Sequence, residues 1–273
     1  MKKVILITGA SSGIGKESAF QLIKEGHVVY GAARRVNKMD DIVEAGGKTI
    51  QMDVTIPEQI NATVEKIIVE QGRIDVLFNN AGYAIYGAVE TVSLEDAKRQ
   101  FDVNIFGLAE MTKAVLPQMR KQKSGTIINN SSMAGRIYTP LGAWYHASKH
   151  ALEGWSDCLR LELKQFNIKV VIIEPGGVLT EIGDVIYDPM VERGKGTPYE
   201  AMSHTISEAT KDLFNKKGAL SPPSVISNLV SKAVNSKNPK TRYVAGKFAK
   251  PMMFVRKYFG DRVFDKMMMS AIK

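Results

Sequence analysis

The 273-residue sequence predicts an α/β fold, a doubly wound parallel sheet of about seven strands with helices on both faces and a helical C-terminal extension. Short β-branched runs alternate with stretches of helical spacing through most of the chain. A glycine-rich turn joins the first such run to the first helix. No proline- or glycine-rich linker divides the chain, so one domain over residues 1–273 is expected.

The apolar runs set the strand positions, and the helical spacings fill the intervals between them. After the run at residues 4–8, Ile14, Ala19 and Leu22 recur at helical spacing. Strands are expected at residues 4–8, 27–32, 48–52, 74–79, 126–130, 169–173 and 241–245. Helices are expected at residues 14–24, 39–45, 57–71, 94–121, 143–166 and 224–235, followed by one or two short amphipathic helices. Right-handed crossovers then bring ligands to the edge where the strands end.

The composition argues against several classes of protein. The formal charge of +9 is interpreted as a solvated basic surface, because no base-stacking aromatic residues interleave the lysines, and no nucleic acid is expected. Cys158 is the single cysteine, and its helical position suggests packing; a reducing, cytoplasmic compartment follows. The apolar run that ends at Thr8 is too short for a signal peptide, and no run approaches the length of a membrane span.

The turn after the first strand predicts a phosphate site. Gly9, Gly13 and Gly15 open the next helix with the spacing GxxxGxG, which lets the backbone approach a pyrophosphate while helix N-terminal amides face it. The other candidate contacts in this turn are Ser11, Ser12 and Ile14. The alternative is a glycine-rich strand-to-helix turn that binds nothing.

The end of the second strand indicates which dinucleotide is bound. A site for a 2′-hydroxyl usually has an acidic residue here, whereas this chain has Arg34 and Arg35. An arginine suits a 2′-phosphate, so NADP(H) is favoured over NAD(H), with Arg34 as the first contact. Arg35 is either a stacking partner or a solvated neighbour.

The third and fourth strands end in further candidates. Asp53, followed by Val54, is placed to accept a hydrogen bond from an adenine amino group. Asn80, Ala81 and Gly82 suit turn backbone. Asn80 either lines the ribose or braces the strand end.

Tyr145 and Lys149 lie one helical turn apart, and Tyr145 follows Ser132 by 13 residues. A phenol has an ordinary pKa of about 10, and an ammonium on the same helix face favours the phenolate. The pair therefore predicts an acid/base group with a lowered pKa. Taken alone, a surface contact between the two side chains explains the pattern equally well.

These motifs occur together in a characteristic order: the glycine turn, Asn80-Ala81-Gly82, Asn104, Ser132, Tyr145-x-x-x-Lys149 and Pro175-Gly176. With this set, the chain resembles the short-chain dehydrogenase/reductase family over about residues 4–180. The resemblance implies a Rossmann-type fold and NAD(P)-dependent interconversion of alcohols and carbonyls.

The resemblance also implies a role for each catalytic candidate. Tyr145 would exchange a proton with the substrate oxygen, and Lys149 would lower the tyrosine pKa and bind the nicotinamide ribose. Ser132, rather than Ser131, would donate a hydrogen bond to the substrate oxygen, and Asn104 would hold a water joining Lys149 to solvent. The implied cofactor contacts are Gly9, Ser11, Ser12, Gly13, Ile14, Gly15, Arg34, Arg35, Asp53, Val54, Asn80, Ala81, Gly82, Tyr145, Lys149, Pro175, Gly176, Val178 and Thr180.

Three segments follow strand ends near Tyr145 and should surround the substrate, namely residues 83–86, 133–138 and 181–202. Most of their side chains are apolar or aromatic, which favours a hydrophobic carbonyl or alcohol. Their polar candidates are Glu181, Tyr187 and Tyr199.

The C-terminal third carries the remaining expectations. By the resemblance, residues 181–220 form a mobile lid with Gly194 and Gly196 as hinges. Residues 247–273, rich in methionine, phenylalanine and basic residues, either pack on the body or another subunit, cover the cleft, or lie on a membrane surface. This tail loosely resembles that of family members acting on steroids and retinoids. The helices at residues 94–121 and 143–166 are expected to form the contact of a homodimer or homotetramer.

The leading hypothesis is reversible hydride transfer between NADP(H) and a ketone, aldehyde or secondary alcohol on a hydrophobic steroid-, retinoid- or lipid-like molecule. A non-catalytic NADP(H)-binding sensor is an alternative, as is an epimerase or dehydratase on the same scaffold. His27, His150 and His204 have no metal-ligand spacing, so no metal is expected.

Overall fold

The computed structural model describes residues 2–270, and within them every side chain except those of residues 182, 184 and 185. The strands are β1 (Val4–Thr8), β2 (Val28–Ala33), β3 (Lys48–Gln51), β4 (Val76–Asn79), β5 (Gly125–Asn130), β6 (Ile168–Pro175) and β7 (Arg242–Ala245). The helices are α1 (Gly13–Lys24), α2 (Asp40–Glu44), α3 (Pro57–Gln71), α4 (Leu94–Phe101), α5 (Leu108–Gln122), α6 (Ala143–Leu163), α7 (Ile182–Gly194), α8 (Glu200–Asn215), α9 (Ser224–Asn235) and α10 (Ala249–Ser270).

The strands form one parallel sheet in the order β3-β2-β1-β4-β5-β6-β7. The predicted doubly wound, Rossmann-type fold is confirmed. β1 pairs with β2 on one side and β4 on the other, so the strand order reverses beside β1. In such sheets a crevice forms at this reversal, outside the carboxyl ends of the strands.

β1 is buried on both faces. Ile5 and Ile7 lie in the apolar layer that contains residues of α1 and α9, whereas Leu6 lies in the layer that contains residues of α3, α5 and α6. Neighbouring side chains of a strand point to opposite faces, so both layers need apolar residues. This two-sided burial explains why β1 is a continuous apolar run and not an alternating one.

The helix expected at residues 94–121 is interrupted. A π-helical turn over Asp102–Gly107 separates α4 from α5. Gly107 lies against the backbone carbonyl of Val54, so any Cβ at this position would overlap it. Asn104 lies in the wider turn and is 1% exposed. Such insertions are frequent at functional sites, and apolar periodicity does not reveal them.

The expected lid consists of α7 and α8, which lie against each other. Gly194 ends α7 and contacts the Ser203 side chain so closely that a Cβ would overlap it. Gly196 follows with a φ of +70°, which favours glycine. Both glycines therefore permit the tight α7–α8 connection, while a hinge motion stays a prediction.

α10 forms most of the expected tail; residues 271–273 lie outside the described residues. Its two helical segments meet at Gly260, whose φ of 74° is not helical. Ala249 and Phe264 are fully buried, so the inner face of α10 packs on the body. Over residues 2–270 the structure has no helix whose length and apolarity would suffice to cross a membrane.

Cys158 differs from the expectation of packing. Its side chain is exposed on α6, although Ser156 and Leu159 nearby are buried. With about 3.6 residues per turn, adjacent helix positions face different directions, and this one faces away from the sheet.

Candidate active site

A cavity of about 610 Å³ opens where the central strands end. The candidate residues that line it are Gly9, Ser11, Ser12, Gly13, Ile14, Arg34, Arg35, Asp53, Val54, Asn80, Ala81, Gly82, Ser132, Tyr145, Lys149, Pro175, Gly176, Val178 and Thr180. Gly15 and Asn104 lie behind the wall instead, against Gly9 and Gly82 respectively. The fold therefore brings the predicted residues into one space because parallel strands end at the same edge.

The glycine turn is locked to the end of β4. Thr8 Oγ1 accepts hydrogen bonds from the backbone N–H groups of Asn80 and Ala81, both at 3.0 Å. Asn80 Nδ2 donates to the carbonyls of Thr8 and Gly9, each at 3.1 Å. Asn130 Nδ2 donates to Asn80 Oδ1 at 2.9 Å. The Asn80 side chain is thus engaged as a brace, in agreement with the structural alternative for this residue.

The N-terminus of α1 faces the cavity without a side-chain cap. Ser12 is the N-cap residue, yet its side chain makes no capping hydrogen bond, and the first turn contains no acidic residue. A Cβ on Gly13, which has a φ of +53°, would lie 3.2 Å from Thr180 Cγ2. Free amides at the positive end of a helix dipole attract anionic groups.

The two arginines after β2 differ in their contacts. Arg34 is exposed and has neither a hydrogen bond nor an ion pair within residues 2–270. Arg35 Nη2 lies 3.1 Å from Glu181 Oε2 and 3.4 Å from Ser12 Oγ. Lys38 Nζ lies 3.6 Å from the other carboxylate oxygen of Glu181. The Arg35 side chain is 49% exposed, in agreement with the solvated alternative, and its ion pair holds Glu181 beside the glycine turn.

Asp53 lies at the far end of the cavity. Its Oδ1 accepts hydrogen bonds from the backbone N–H of Thr55 at 2.9 Å and from the Thr55 hydroxyl at 2.8 Å. The Asp53 backbone N–H donates to Gln59 Oε1 at 2.7 Å. These bonds fix the carboxylate beside Val54 and Val103, which also line the cavity.

Ser132 and Tyr145 meet at the centre of the cavity. The Ser132 hydroxyl accepts from the Ala134 N–H at 3.1 Å and donates to the Pro175 carbonyl at 3.5 Å. Burial raises the pKa of Tyr145, and the Ser132 hydroxyl opposes that rise. The predicted lowering of this pKa by Lys149 is therefore wrong for this structure. A phenol with a raised pKa keeps its proton at neutral pH.

Lys149 lies under the same cluster and is 7% exposed. Its Nζ donates to the Asn130 carbonyl at 2.8 Å and lies 5.9 Å from the centroid of the Tyr145 ring. Burial lowers the pKa of Lys149 to about 8, against an opposing effect of the Glu153 carboxylate. Because the ammonium is directed to a carbonyl oxygen, its contact with the phenol ring is electrostatic and not a hydrogen bond.

Asn104 supports the cavity wall from behind. Its Oδ1 accepts from the Tyr83 N–H at 3.1 Å, and its Nδ2 donates to the Tyr83 carbonyl at 3.0 Å and to Ser148 Oγ at 3.1 Å. A Cβ on Gly82 would lie 3.1 Å from Asn104 Oδ1 and 3.9 Å from Lys149 Nζ. The π-helical turn therefore connects the loop after β4 to the helix that carries Tyr145.

The substrate side matches the expectations only in part. Of the three expected segments, residues 83–85 line the cavity, as do Glu181, Pro189 and Arg193, but no residue of 133–138 does so among the described lining. Tyr138 instead packs on Phe264 of α10, with ring centroids 5.0 Å apart. The reason is that residues 133–135 form a 3₁₀ turn that directs the chain under α6.

Tyr187 and Tyr199 also lie away from the cavity. Tyr187 is buried, and its ring packs edge-on against Phe214. Tyr199 belongs to an apolar group, here called the lid cluster, that joins α7 and α8 to the loop after β4. Its members are Tyr86, Ala88, Leu141, Met190, Tyr199, Met202 and Ile206.

The lid cluster reaches the site through Tyr86. The ring centroid of Tyr86 lies 5.9 Å from that of Tyr145, and burial raises the pKa of Tyr86. Arg193 of α7 donates to the Tyr86 carbonyl at 3.2 Å and to Asp96 Oδ2 of α4 at 3.1 Å. No signal in the sequence connects Asp96 with Arg193, since they are 97 positions apart.

Other lining residues were also missed from the sequence. Asn130 is the last residue of β5, directly before Ser131, and it lines the cavity. Two consecutive asparagines at the end of an apolar strand are a polar signal from which this residue could have been predicted. Arg99 lines the cavity from α4, and nothing in its helical position distinguishes it from a solvated residue.

His146, expected to pack, does so: Nδ1 lies 3.0 Å from the Ala134 carbonyl and Nε2 2.9 Å from Thr139 Oγ1.

The comparison with known proteins agrees with this geometry. A family model described as short chain dehydrogenase matches residues 3–190. A 3-ketodihydrosphingosine reductase of Bacteroides thetaiotaomicron is 46% identical over 182 residues, covering 67% of this chain and 66% of the relative. The match therefore spans just under two thirds of the length of that protein.

Solved structures with the same fold cover more of the chain. A short-chain dehydrogenase from Streptomyces avermitilis has a TM-score of 0.81 at 32% identity, covering 98% of this chain and 96% of its own. A serine dehydrogenase in complex with NADP+ has a TM-score of 0.78 at 27% identity, covering 89% and 94%. A protein from Burkholderia phymatum in complex with NAD, at 23% identity and TM-score 0.78 with coverage of 93% and 91%, shares the fold. Since the family model covers most of the sequence and the fold agrees over nearly all of it, the chain belongs to the short-chain dehydrogenase family of oxidoreductases, which use nicotinamide cofactors.

Proposed function

We propose that this protein is an NADP(H)-dependent oxidoreductase that reduces a ketone or aldehyde on a hydrophobic molecule and, in reverse, oxidises the corresponding alcohol. The observation that carries the proposal is that Ser132 and Tyr145 line one cavity together with Lys149 and the glycine turn. These groups lie above the buried Lys149 in the same cavity as the glycine turn. Two hydroxyl donors at one point suit an oxygen that becomes negatively charged during reduction.

A dinucleotide fits the residues on the other side of the cavity. The uncapped α1 N-terminus, with no acid in its first turn, suits a pyrophosphate. Gly9 and Gly13, at φ of +67° and +53°, hold the turn in a conformation that side chains rarely adopt, and a Cβ on Gly9 would lie 2.8 Å from the Ala81 Cα. When bound, the nicotinamide supplies or accepts the hydride.

Arg34 is the residue through which we expect NADP(H) to be preferred. It lines the cavity after β2, where family members that bind NAD commonly carry an acid. Its guanidinium has no partner among the described residues, whereas the neighbouring Arg35 is engaged with Glu181. A guanidinium without a competing carboxylate is available for a 2′-phosphate.

Each group at the centre then has a task. Tyr145 donates its proton to the substrate oxygen during reduction, and its raised pKa keeps that proton in place at neutral pH. Ser132 donates a second hydrogen bond to the same oxygen. Lys149 contributes positive charge near the phenol and a donor for a ribose hydroxyl. Asn104 positions the Gly82 loop beside Lys149, and its holding of a water stays a prediction.

The substrate is proposed to be lipid-like. Ile85 and Pro189 line the cavity, and the lid cluster lies directly beyond Tyr86. The Bacteroides relative, 46% identical over 182 residues, is named as a reductase of 3-ketodihydrosphingosine. An apolar wall with a few convergent polar groups binds such molecules by burying their chains.

We place this activity in the cytoplasm, where the exposed Cys158 would stay a free thiol, and in a homodimer or homotetramer. Phe106 and Leu161 support the oligomer because they are 58% and 70% exposed beside or on α5 and α6. A contact between two copies through these helices would remove both side chains from water.

The test is NADPH oxidation by the purified protein with 2-ketones of increasing chain length. We expect kcat/KM to rise with chain length, and carbonyl consumption to equal NADPH oxidation. Tight NADPH binding without turnover across the panel would contradict the proposal and favour a sensor. Product formation without net NADPH consumption would contradict it in favour of an epimerase or dehydratase.

A further inference from the structure

The outer face of α10 carries a cluster of exposed aromatic rings. Phe254, Tyr258 and Phe259 are 55%, 63% and 58% exposed. The centroid of the Phe254 ring lies 4.8 Å from that of Tyr258 and 6.1 Å from that of Phe259. Single exposed apolar residues are ordinary on protein surfaces, but a ring that contacts two further exposed rings indicates a surface that binds another molecule.

Unpaired cations surround these rings. α10 contains two acids, and both are engaged: Asp261 pairs with Arg256 at 2.5 Å, and Asp265 accepts a hydrogen bond from the Tyr138 hydroxyl at 2.8 Å. The basic residues of α10 that form no ion pair within residues 2–270 are Lys250, Lys257, Arg262 and Lys266. With five basic residues and two acids, α10 has a net positive charge, and its unpaired cations outnumber Asp265, the carboxylate that has no ion pair within residues 2–270.

Two of these cations, Lys250 and Lys257, lie on the same side of the helix as the rings. Phe254 lies four residues after Lys250, three residues before Lys257 and four residues before Tyr258, and residues at these spacings share a helix face. All four are exposed, and Lys257 Nζ lies 5.1 Å from the centroid of the Tyr258 ring. Apolar rings flanked by lysines form the pattern of helices that lie in a membrane interface.

The opposite side of α10 holds it to the body. Phe264 is fully buried against the Tyr138 ring, and the Arg256 guanidinium lies 5.1 Å from the centroid of that ring. The outer rings are therefore not an unused core face, because the helix already has its packing surface. They face outward on a helix whose orientation is fixed.

We propose that the outer face of α10 docks on an anionic lipid surface, with its rings at the boundary of headgroups and acyl chains and its lysines and arginines against lipid phosphates. Charge complementarity selects this occupant. A symmetric contact with a second copy of the chain would bring Lys250 and Lys257 of the two copies together and so place like charges side by side. Tyr258 suits the interface because its ring is apolar and its hydroxyl can stay in water, and the two phenylalanine rings add apolar surface for the acyl chains.

The docking would bring the membrane near the cleft. Tyr138, which contacts α10 directly, lies six positions after Ser132, and Leu141 further along belongs to the lid cluster. A lipid substrate would then have a short path from the bilayer to the cavity. This last step rests on the proposed function, whereas the docking itself does not.

The experiment is co-sedimentation of the full-length protein with vesicles, in the absence of cofactor and substrate. One set of vesicles is phosphatidylcholine alone, and the other contains phosphatidylcholine with an equal amount of phosphatidylglycerol. We expect binding to the mixed vesicles only, and a loss of binding as salt is raised. The combined F254S, Y258S and F259S variant should weaken partitioning on the order of a hundredfold, and K250E with K257E at least about tenfold.

Two matched variants separate docking from general effects of charge and hydrophobicity. K66E with K121E makes the same charge change on exposed lysines of α3 and α5, and V69S removes a side chain that is 80% exposed elsewhere. Both should bind vesicles as the parent protein does, and every α10 variant should keep its NADPH affinity, which reports a folded cleft. Equal binding to neutral and mixed vesicles would overturn the proposal. So would light scattering that shows the ring substitutions splitting an oligomer, since the face would then contact another copy.

Discussion

On the proposed cofactor side of the cleft, backbone groups and side-chain amides at the ends of neighbouring strands are hydrogen-bonded to one another. On the substrate side, helices that are distant in sequence contact each other through apolar and charged side chains. Thr8, Asn80 and Asn130 form a continuous set of hydrogen bonds from β1 through β4 to β5. Across the cleft, the ion pair of Arg193 with Asp96 and the lid cluster hold α7 over the loop after β4.

This difference suggests that the two sides of the cleft tolerate amino-acid substitutions to different extents. Backbone hydrogen bonds and glycine positions admit few substitutions, because a Cβ on Gly9 would lie 2.8 Å from the Ala81 Cα. Side-chain packing tolerates changes of shape when the volume is kept. The cofactor side should therefore respond to substitution with loss of binding and stability, and the substrate side with altered specificity.

The largest expected effect lies between the two sides, at Tyr145. Tyr145→Phe keeps the ring and removes the proton donor, so kcat for carbonyl reduction should fall on the order of 10²–10⁴-fold. NADPH affinity, measured by fluorescence titration, should be unchanged. Tyr86→Phe is the matched control, because its ring is adjacent at 5.9 Å but it has no assigned proton transfer. Equal losses in both variants would remove Tyr145 from its role.

The next effect concerns the choice of cofactor. Arg34→Asp should move the ratio of kcat/KM for NADPH to that for NADH towards NADH by about 10–100-fold, since a charge-assisted hydrogen bond is lost and a repulsion added. Arg35→Gln is the control, because Arg35 is already engaged with Glu181. An unchanged ratio in Arg34→Asp would show that another residue reads the 2′ position.

The pH dependence tests the electrostatics of the buried centre. Because burial lowers the pKa of Lys149 to about 8, its ammonium is present below that pH and is lost as the pH rises through it. The rate of reduction should therefore fall about tenfold per pH unit above this value. The phenol of Tyr145 does not produce this limb, since its pKa is raised above the ordinary 10.0. In Lys149→Arg the remaining activity should lack the limb, because a guanidinium stays charged.

The smallest effects compare the two sides directly. Asn80→Ala removes three hydrogen bonds of the brace and should lower the free energy of unfolding by about 1–3 kcal/mol, measured with urea. Arg193→Ala breaks a partly exposed ion pair and should change the free energy of unfolding by less than about 1 kcal/mol, while KM for a long-chain ketone rises a few-fold. The reverse pattern would contradict the division between a rigid and an adaptable side.

Much of the fold was predictable because it depends on local patterns. The strand at residues 4–8 and the helices at residues 57–71 and 224–235 have the expected bounds, since apolar periodicity and turn residues coincide there. The helix expected at residues 94–121 does not have the expected bounds. Its π-helical turn depends on contacts of Asn104 and Gly107 with loops that are distant in sequence. The apolar periodicity of a sequence does not predict such long-range contacts.

The site divides in the same way. The glycine turn, Arg34, Ser132, Tyr145 and Lys149 were recognisable from spacing, because strand ends of a parallel sheet converge whatever the details of packing. The ion pair of Arg35 with Glu181, the raised pKa of Tyr145 and the outward turn of Tyr138 towards α10 were not. Each depends on burial or on partners far away in the chain.

Residue types and their spacing are thus sufficient to specify the sheet, the direction of its strands and the chemistry at their ends. The tertiary structure alone decides which charges are neutralised, which phenol keeps its proton and which face of α10 remains uncovered. The physical reason is range: backbone propensity and apolar periodicity act within a few residues, whereas desolvation and ion pairing depend on groups brought together only when the chain folds.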